Sequence, residues 1–168
     1  GGPQAGIIVG KKALIQQLQA HPLKRVLRCD KVTLAGLEAT LRLYLQPEKI
    51  TEKLTALHLL TQPIVQLQAQ AEQLKVRLEN RLNADYLIAI EPSEAQVGSG
   101  SQPLARIPSV AVTIAPATEK TPTKTTALFA RLLALPQPVI GRIERDKIWL
   151  DLRSLASLDR LLDSLETL

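Results

Sequence analysis

Four basic side chains crowd around a single acid near the start of this sequence: Lys24, Arg25, Arg28 and Lys31 lie beside Asp30. An arginine guanidinium can grip two phosphate oxygens at once, and each charge-assisted hydrogen bond contributes roughly 1.5–3 kcal/mol. Because Arg25 and Arg28 are three positions apart, they can converge on one anion from a helical turn or from a loop. The segment predicts either a site for a compact anion such as phosphate or an ordinary solvated helix face.

The net charge of +5 is confined to the first third of the chain. Residues 1–53 hold nine Lys/Arg against four Asp/Glu, whereas residues 54–168 hold twelve of each. A general nucleic-acid binder spreads its basic residues over a wide face. One tight cluster therefore favours a compact anion over an extended polyanion.

Few other side chains could carry chemistry. His21 precedes a proline, His58 lies among leucines, and Cys29 is the one cysteine of the sequence. A zinc site needs three or four ligands at close spacing, so we expect no metal. No histidine or acid is spaced to act as a base for Cys29, which favours a bystander thiol. A single cysteine also excludes an intramolecular disulfide and suits a reducing compartment.

Two glycine-rich segments could approach a ligand closely. The opening run of Gly1, Gly2, Pro3 and Gln4 permits such an approach to a ligand or to another chain, but it equally suits a tight turn. Residues 98–101, Gly-Ser-Gly-Ser, superficially resemble a phosphate loop. No lysine follows them, which favours a flexible surface loop.

The elements that must position these residues can be predicted from apolar spacing. Residues 7–9 form a short apolar run typical of a buried strand. Helices are predicted over residues 11–20 and 31–45, the second with Asp30 as its N-cap. Pro47 can sit in the first turn of a third helix.

The second part of the chain mixes strand and helix patterns. Strands are predicted over residues 86–90, 109–115, 139–143 and 148–152, and helices over residues 63–82, 127–135 and 154–168. The last two strands form a hairpin. The pattern indicates an α+β fold with a small, mostly antiparallel sheet. We expect residues 1–45 to be the end of one domain with a linking helix, and residues 46–168 to form a small α+β domain.

Length and composition limit the class of protein. The 168 residues, 45% of them hydrophobic, suit one domain or one domain plus a piece of another. No apolar stretch approaches the ~20 residues that a membrane span needs. Because the sequence has no methionine and opens Gly-Gly-Pro, we expect it to be a piece of a longer or processed chain.

Several motifs, in order along nearly the whole chain, match one known family. They are GGPQAGIIVGKK at residues 1–12, HPLKR at 21–25, LEATLRLYL at 37–45, VGSGS at 97–101, PVIGRI at 138–143 and WLDLR at 149–153. By these motifs the chain resembles the bacterial selenocysteine synthases, the L-seryl-tRNA(Sec) selenium transferases.

The resemblance implies a fold-type-I enzyme that uses pyridoxal 5'-phosphate in the cytoplasm, as a homo-oligomer of dimers with no membrane attachment. Seryl-tRNA(Sec) would lose water to give an aminoacrylate on the cofactor, and selenophosphate would then add selenium to form selenocysteinyl-tRNA(Sec). Residues 1–45 would end the cofactor-binding large domain. By the same resemblance, Arg25 and Arg28 hold the donor's phosphate, while Gly1, Gly2, Pro3 and Gln4 lie close to the cofactor.

One departure from the family pattern bears on activity. In the family the Schiff-base lysine stands a few residues before the Gly-Gly-Pro motif, whereas this sequence begins at Gly1. Lys11 and Lys12 are in the wrong place to replace it. We therefore expect no catalytic residue among these 168, no bound cofactor and no activity of this chain alone.

Two other functions stay open at this stage. The chain could be a non-catalytic module that contacts tRNA or supports assembly, with the basic cluster meeting RNA phosphates. It could also belong to a sulfur-transferring fold-type-I relative such as a cysteine desulfurase. The sequence argues against this last hypothesis, because a cysteine desulfurase needs a catalytic cysteine in a mobile loop and Cys29 lies in the wrong context for one.

Overall fold

The computed structural model describes residues 2–97, 104–118 and 122–168, with the side chains of Asn83 and Pro122 left out. The chain divides into two compact units, Gly1–His58 and Leu59–Leu168, called here the N-terminal and C-terminal units. This division falls later than the sequence boundary at residues 45–46. The helical turns that follow Pro47 group with the N-terminal unit, which moves the division toward the C-terminus.

The N-terminal unit is helical. Its helices are α1 (Lys12–Ala20), α2 (Lys31–Leu43), α3 (Ile50–Lys53) and α4 (Thr55–Thr61), with 3-10 turns at Pro22–Arg25 and Pro47–Lys49. Helix α4 runs across the division between the units. The helices predicted over residues 11–20 and 31–45 are confirmed. The third predicted helix is broken at Leu54, whose backbone is extended at φ −109° and ψ 100°.

The prediction of a strand over residues 7–9 is wrong. Residues 2–11 have no regular secondary structure, and Ile7, Ile8 and Val9 are exposed, Val9 by 87%. An apolar run becomes a strand only where a sheet edge accepts its hydrogen bonds. Within the described ranges every strand belongs to the C-terminal unit, so this run has no partner strand there.

Helix α5 (Ile64–Leu82) forms one side of the core in the C-terminal unit. Its apolar residues are spaced three and four apart, which places them on a single stripe. Five of the six residues predicted for this stripe are buried: Leu67, Ala71, Leu74, Leu78 and Leu82. The first, Ile64, is exposed, because it lies at the start of the helix. The helix ends at Leu82, where Asn83 predicts a stop.

The sheet has four antiparallel strands: β1 (Tyr86–Ala95), β2 (Ile107–Pro116), β3 (Arg142–Glu144) and β4 (Lys147–Asp151), in the order β1-β2-β4-β3. Helices α6 (Pro122–Leu133) and α7 (Leu158–Leu165) complete the unit. The α+β fold and the β3–β4 hairpin are therefore confirmed. The hairpin turns at Arg145 and Asp146, both at positive φ, as a two-residue turn between twisted strands requires.

Two predicted elements of this unit begin later than expected. The strand expected over residues 139–143 begins only at Arg142, because the Val139 N–H donates to the Leu132 carbonyl at the end of α6. The final helix begins at Leu158, after a 3-10 turn at Leu152–Ser154. Its N-cap is Ser157, whose hydroxyl accepts from the Arg160 N–H.

The two faces of the sheet differ in chemistry. The inner face carries Val110, Val112, Ile114, Ile148 and Leu150, which belong to one buried cluster with residues of α5, α6 and α7. The outer face of β2 carries small residues that are also buried, against the expectation of a one-sided strand: Ser109, Ala111 and Thr113.

Polar side chains of the neighbouring strands account for part of this burial on the outer face. Thr113 Oγ1 donates to Glu91 Oε1 at 2.7 Å, and Lys147 Nζ reaches the same oxygen at 2.6 Å. The Arg142 guanidinium stacks over the Trp149 ring at 4.9 Å from its centroid. The outer face of the sheet is thus lined by charged and hydroxyl groups that satisfy one another.

Arg153 is the most deeply embedded charge of the C-terminal unit, with 5% of its surface exposed. Its Nε and one terminal nitrogen donate to the Pro108 carbonyl at 3.1 and 2.6 Å. The other terminal nitrogen lies 3.2, 3.1 and 3.0 Å from the carbonyls of Leu59, Leu60 and Gln62. Since the carbonyls at a helix C-terminus carry partial negative charge, the end of α4 helps to neutralise the guanidinium.

We expect Arg153→Met to destabilise the chain by about 3 kcal/mol, because it removes a buried guanidinium that donates to four carbonyls, of which that of Gln62 belongs to a buried residue. Urea unfolding of the 168-residue chain measures the change. Arg160→Met, at an exposed position on α7, is the matched control and should change stability by less than about 0.5 kcal/mol. Equal unfolding midpoints for the two variants would contradict the role given to Arg153.

The stability of the chain should also depend on Glu91 as the pH falls. Hydrogen bonds from Lys147 and then Thr113 hold the pKa of the Glu91 carboxyl below its usual range. A lowered folded pKa means that Glu91 contributes stability above its ordinary pKa, and that this contribution is lost as pH falls through the lowered value.

We therefore expect Glu91→Gln to be less stable than the parent near neutral pH, with the difference shrinking below about pH 4. Urea midpoints measured at steps between these conditions give the curve. Glu72→Gln, on the exposed side of α5, should track the parent at every pH. If the urea midpoints of Glu91→Gln and the parent differ by the same amount at every pH, the lowered pKa of Glu91 does not stabilise the fold.

Candidate functional site

The basic segment of the N-terminal unit lies between α1 and α2. His21 starts the 3-10 turn at Pro22–Arg25, and its Nδ1 accepts from the Leu23 N–H at 3.2 Å. Pro22 suits the first position of such a turn, where no N–H is needed. The backbone continues to coil after the turn, because the Leu27 N–H donates to the Leu23 carbonyl at 3.1 Å.

Asp30 is committed to capping α2, as predicted. Its Oδ1 accepts from the N–H groups of Val32 and Thr33 at 2.8 and 2.9 Å, and its Oδ2 accepts from Thr33 Oγ1 at 2.7 Å. These hydrogen bonds, led by the Thr33 N–H, lower the pKa of the Asp30 carboxyl. Both oxygens are therefore used by the helix terminus rather than by the neighbouring cations.

The four cations of the segment form no ion pair with an acid in the part of the chain that the structure describes. They are exposed, and none of the ion pairs formed within the described ranges involves them: Lys24, Arg25, Arg28 and Lys31. Positive groups that stand close together without counter-charges attract anions from solution. Lys24, Arg25 and Arg28, which precede α2, have the electrostatics of an anion-binding site, whereas Lys31 is the first residue of α2 and is not assigned to that site.

A groove of about 550 Å³ runs along one side of this segment. It is lined by Ile8, Ile15, Leu18, Gln19, His21, Leu23, Lys24, Leu27 and Arg28. Of the two arginines predicted to bind an anion, Arg28 lines the groove and Arg25 does not. The structure brings Lys24 to the groove beside Arg28, and the pairing of Arg25 with Arg28 stays a prediction.

The opening segment packs on α2. Gly2 has φ +127°, and a Cβ built there would lie 2.9 Å from Thr40 Cγ2. A Cβ on Gly36 would in turn lie 2.9 Å from Pro3 Cγ. Gly2 therefore allows the opening segment to approach helix α2 of its own chain closely, which is neither the approach to a ligand or another chain nor the tight turn that the sequence suggested.

This packing bears on whether the opening residues could hold pyridoxal phosphate. The space beside Gly2 is filled by Thr40, Pro3 lies on the helix, and Gln4 is exposed, while Gly1 lies outside the described residues. At Gly2 and Pro3 the described chain therefore presents a surface packed on α2 rather than an open cradle for a phosphate or a ring.

The other sequence candidates are not gathered into a site. Cys29 is a free, half-buried thiol. Within the described ranges, no three His, Cys, Asp or Glu side chains lie close enough together to hold a metal ion. The glycine-serine loop at residues 98–101 falls outside the described residues. Nor do those ranges contain a helix long and apolar enough to cross a membrane.

A second polar cluster, on the outer face of the sheet, was missed by the sequence analysis. The hydroxyls of Ser93 and Ser109 each donate to Asp151 at 2.6 Å, and the Arg153 N–H donates to it at 3.0 Å. The printed partners of both hydroxyls are groups of the same unit, with Asp151 accepting from each. The cluster ties three strands together, and the Asp-Leu-Arg of the WLDLR motif was its only visible signal.

Comparisons with known proteins agree with the motifs. A family model described as L-seryl-tRNA selenium transferase matches residues 1–156. The L-seryl-tRNA(Sec) selenium transferase of Mannheimia succiniciproducens is 68% identical over 168 residues, which cover 100% of this chain and 36% of that protein. The protein of the same name from Pasteurella multocida is 66% identical over 165 residues, 98% of this chain and 35% of its own length.

The same name and the same 68% identity recur in Haemophilus influenzae, again over 100% of this chain and 36% of the relative. The chain thus spans about a third of the length of the relatives it matches, and the match includes the basic segment and the opening glycines. It belongs to the L-seryl-tRNA selenium transferase family.

Proposed function

We propose that these residues are the C-terminal part of an enzyme that converts seryl-tRNA(Sec) to selenocysteinyl-tRNA(Sec) with selenophosphate and pyridoxal phosphate. The uncompensated cationic segment between α1 and α2 carries the proposal, because it lies within the region that matches the family and suits a phosphate-bearing donor. The complete enzyme would be a cytoplasmic fold-type-I homo-oligomer of dimers. Residues 1–45 would end its large domain, and residues 46–168 would be its small domain.

In this proposal Arg25 and Arg28 bind the phosphate group of selenophosphate. Guanidinium groups remain protonated at every working pH and present two parallel N–H donors to a pair of oxygens. Asp30, the nearest acid, is used by the cap of α2 and does not compete for them. Holding the donor's phosphate would orient the selenium toward the tRNA-linked substrate.

The cofactor enters this proposal through the family resemblance. When bound, pyridoxal phosphate supplies an electron sink for the bond changes at the seryl carbon. Gly1, Gly2, Pro3 and Gln4 remain proposed neighbours of it in the complete enzyme. The packing of Gly2 and Pro3 on α2 would then hold that segment in place. No described residue is assigned a catalytic step, and the Schiff-base lysine is proposed to lie upstream of Gly1.

The arginines can be tested in a chimaera in which this chain replaces the matching region of the Mannheimia succiniciproducens relative. We expect Arg25→Ala or Arg28→Ala to raise the KM for selenophosphate about tenfold or more, since each loses a charge-assisted hydrogen bond. Cofactor absorbance should stay unchanged. Lys31→Ala removes a charge from the same segment and should leave KM within about twofold. Donor kinetics equal to the parent in both arginine variants would refute the role.

The placement of the cofactor lysine gives a separate expectation. The 168-residue chain, mixed with pyridoxal phosphate and then desalted, should retain no visible absorbance from a lysine-bound cofactor. The chimaera, treated in the same way, should retain it. Stoichiometric, borohydride-fixable cofactor on the 168-residue chain would show that its own lysines suffice and would contradict the proposal.

A further inference from the structure

We infer that Lys24 and His21 are further binding residues for the donor's oxyanion, on the same groove as Arg28. The inference rests on the proposed function, because it concerns the same site, and it adds two side chains to the arginines. Lys24 would supply a second positive charge within the groove, and His21 would supply an N–H donor.

The first support is the shape of the turn. The Lys24 N–H donates to the His21 carbonyl, and the Leu27 N–H donates to the Leu23 carbonyl, so the backbone coils helically through the segment. In such a coil, side chains four positions apart lie on the same side. Lys24 and Arg28 accordingly both line the groove, whereas Arg25 is absent from its lining.

The second support is the absence of competing charge in the groove. No acidic residue lines the groove, and Asp30 is occupied by the N–H groups of α2. The rest of the lining is mostly aliphatic and includes Leu18, Leu23 and Leu27, which are themselves exposed. The attraction for an anion therefore comes from the two cations, Lys24 and Arg28, that line the groove.

The third support is the fixed orientation of His21. Its Nδ1 accepts the Leu23 N–H at 3.2 Å, so the neutral ring must carry its proton on Nε2. The ring lines the groove while its Nδ1 is held by the turn. The Nε2–H is therefore left as a donor for an anion held by Lys24 and Arg28.

Steady-state kinetics of the chimaera with selenophosphate test the inference. We expect Lys24→Ala to raise the KM for selenophosphate at least about fivefold with kcat nearly unchanged, while Lys31→Ala stays within about twofold. The two variants remove the same charge from the same segment, but only Lys24 lines the groove. Equal KM values for the two, or a loss confined to kcat, would overturn the role of Lys24.

Two His21 variants separate binding from folding. Asparagine is a good capping residue whose oxygen can still accept from the Leu23 N–H, but it does not reach as far as imidazole Nε2. We expect His21→Asn to raise KM several-fold without lowering the melting temperature, and His21→Ala to do both. An unchanged KM in a stably folded His21→Asn variant would remove His21 from the site.

The arginine variants distinguish a failure of the further inference from a failure of the proposed function. If Arg25→Ala and Arg28→Ala raise KM while Lys24→Ala behaves like Lys31→Ala, the further inference fails and the proposed function stands. If none of the four changes KM, the proposed function itself fails. Inorganic phosphate gives a readout independent of catalysis: it should raise the melting temperature of the parent chimaera more than that of Lys24→Ala, and equal shifts would count against Lys24.

Discussion

A buried positive charge must find negative partners, and in the C-terminal unit this requirement links the elements to one another. The Arg153 guanidinium is surrounded by backbone carbonyls from the end of α4 and the start of β2. It thereby joins a helix end to the sheet across more than 90 positions of sequence. Asp151, two residues earlier, binds the hydroxyls of two neighbouring strands. One short motif therefore connects the end of β4 to two neighbouring strands and to the end of α4, while the aliphatic core supplies the bulk of the burial.

The N-terminal unit is built in the opposite way, from local interactions. Asp30 caps its own helix, His21 starts its own turn, and Pro3 lies on Gly36 of α2. Large apolar side chains remain exposed along this unit, such as Val9, Leu27 and Leu45. Because local hydrogen bonds stabilise this segment, it needs no buried ion pair, and its cations can remain without acidic partners. These cations, unpaired within the described part of the chain, are the physical basis of the proposed anion site.

Sequence periodicity predicted the elements well where burial is one-sided and continuous. The stripe of α5 and the Asp30 cap of α2 were both confirmed, since each depends on residues within a few turns of one another. The strand at residues 7–9 was wrong because three apolar residues do not specify their partner. The β3 strand was shortened because the Val139 N–H found a carbonyl on α6 instead of a neighbouring strand. Of the site, the basic segment with Lys24, Arg25 and Arg28 was visible in the sequence, but the sharing of a groove by Lys24 and Arg28 was not.

The resemblance of its motifs indicated the family, while composition and spacing predicted the helical turns and the excess of positive charge, because these two are properties of residues near in sequence. Tertiary structure decided which cations share a groove and which polar side chains form hydrogen bonds with one another on the outer face of the sheet. It also decided that Arg153 is buried among carbonyls. Those outcomes depend on side-chain direction and on hydrogen bonds between distant segments. A linear pattern does not contain them, because the same arginine can point to solvent or to a helix end according to the backbone that surrounds it.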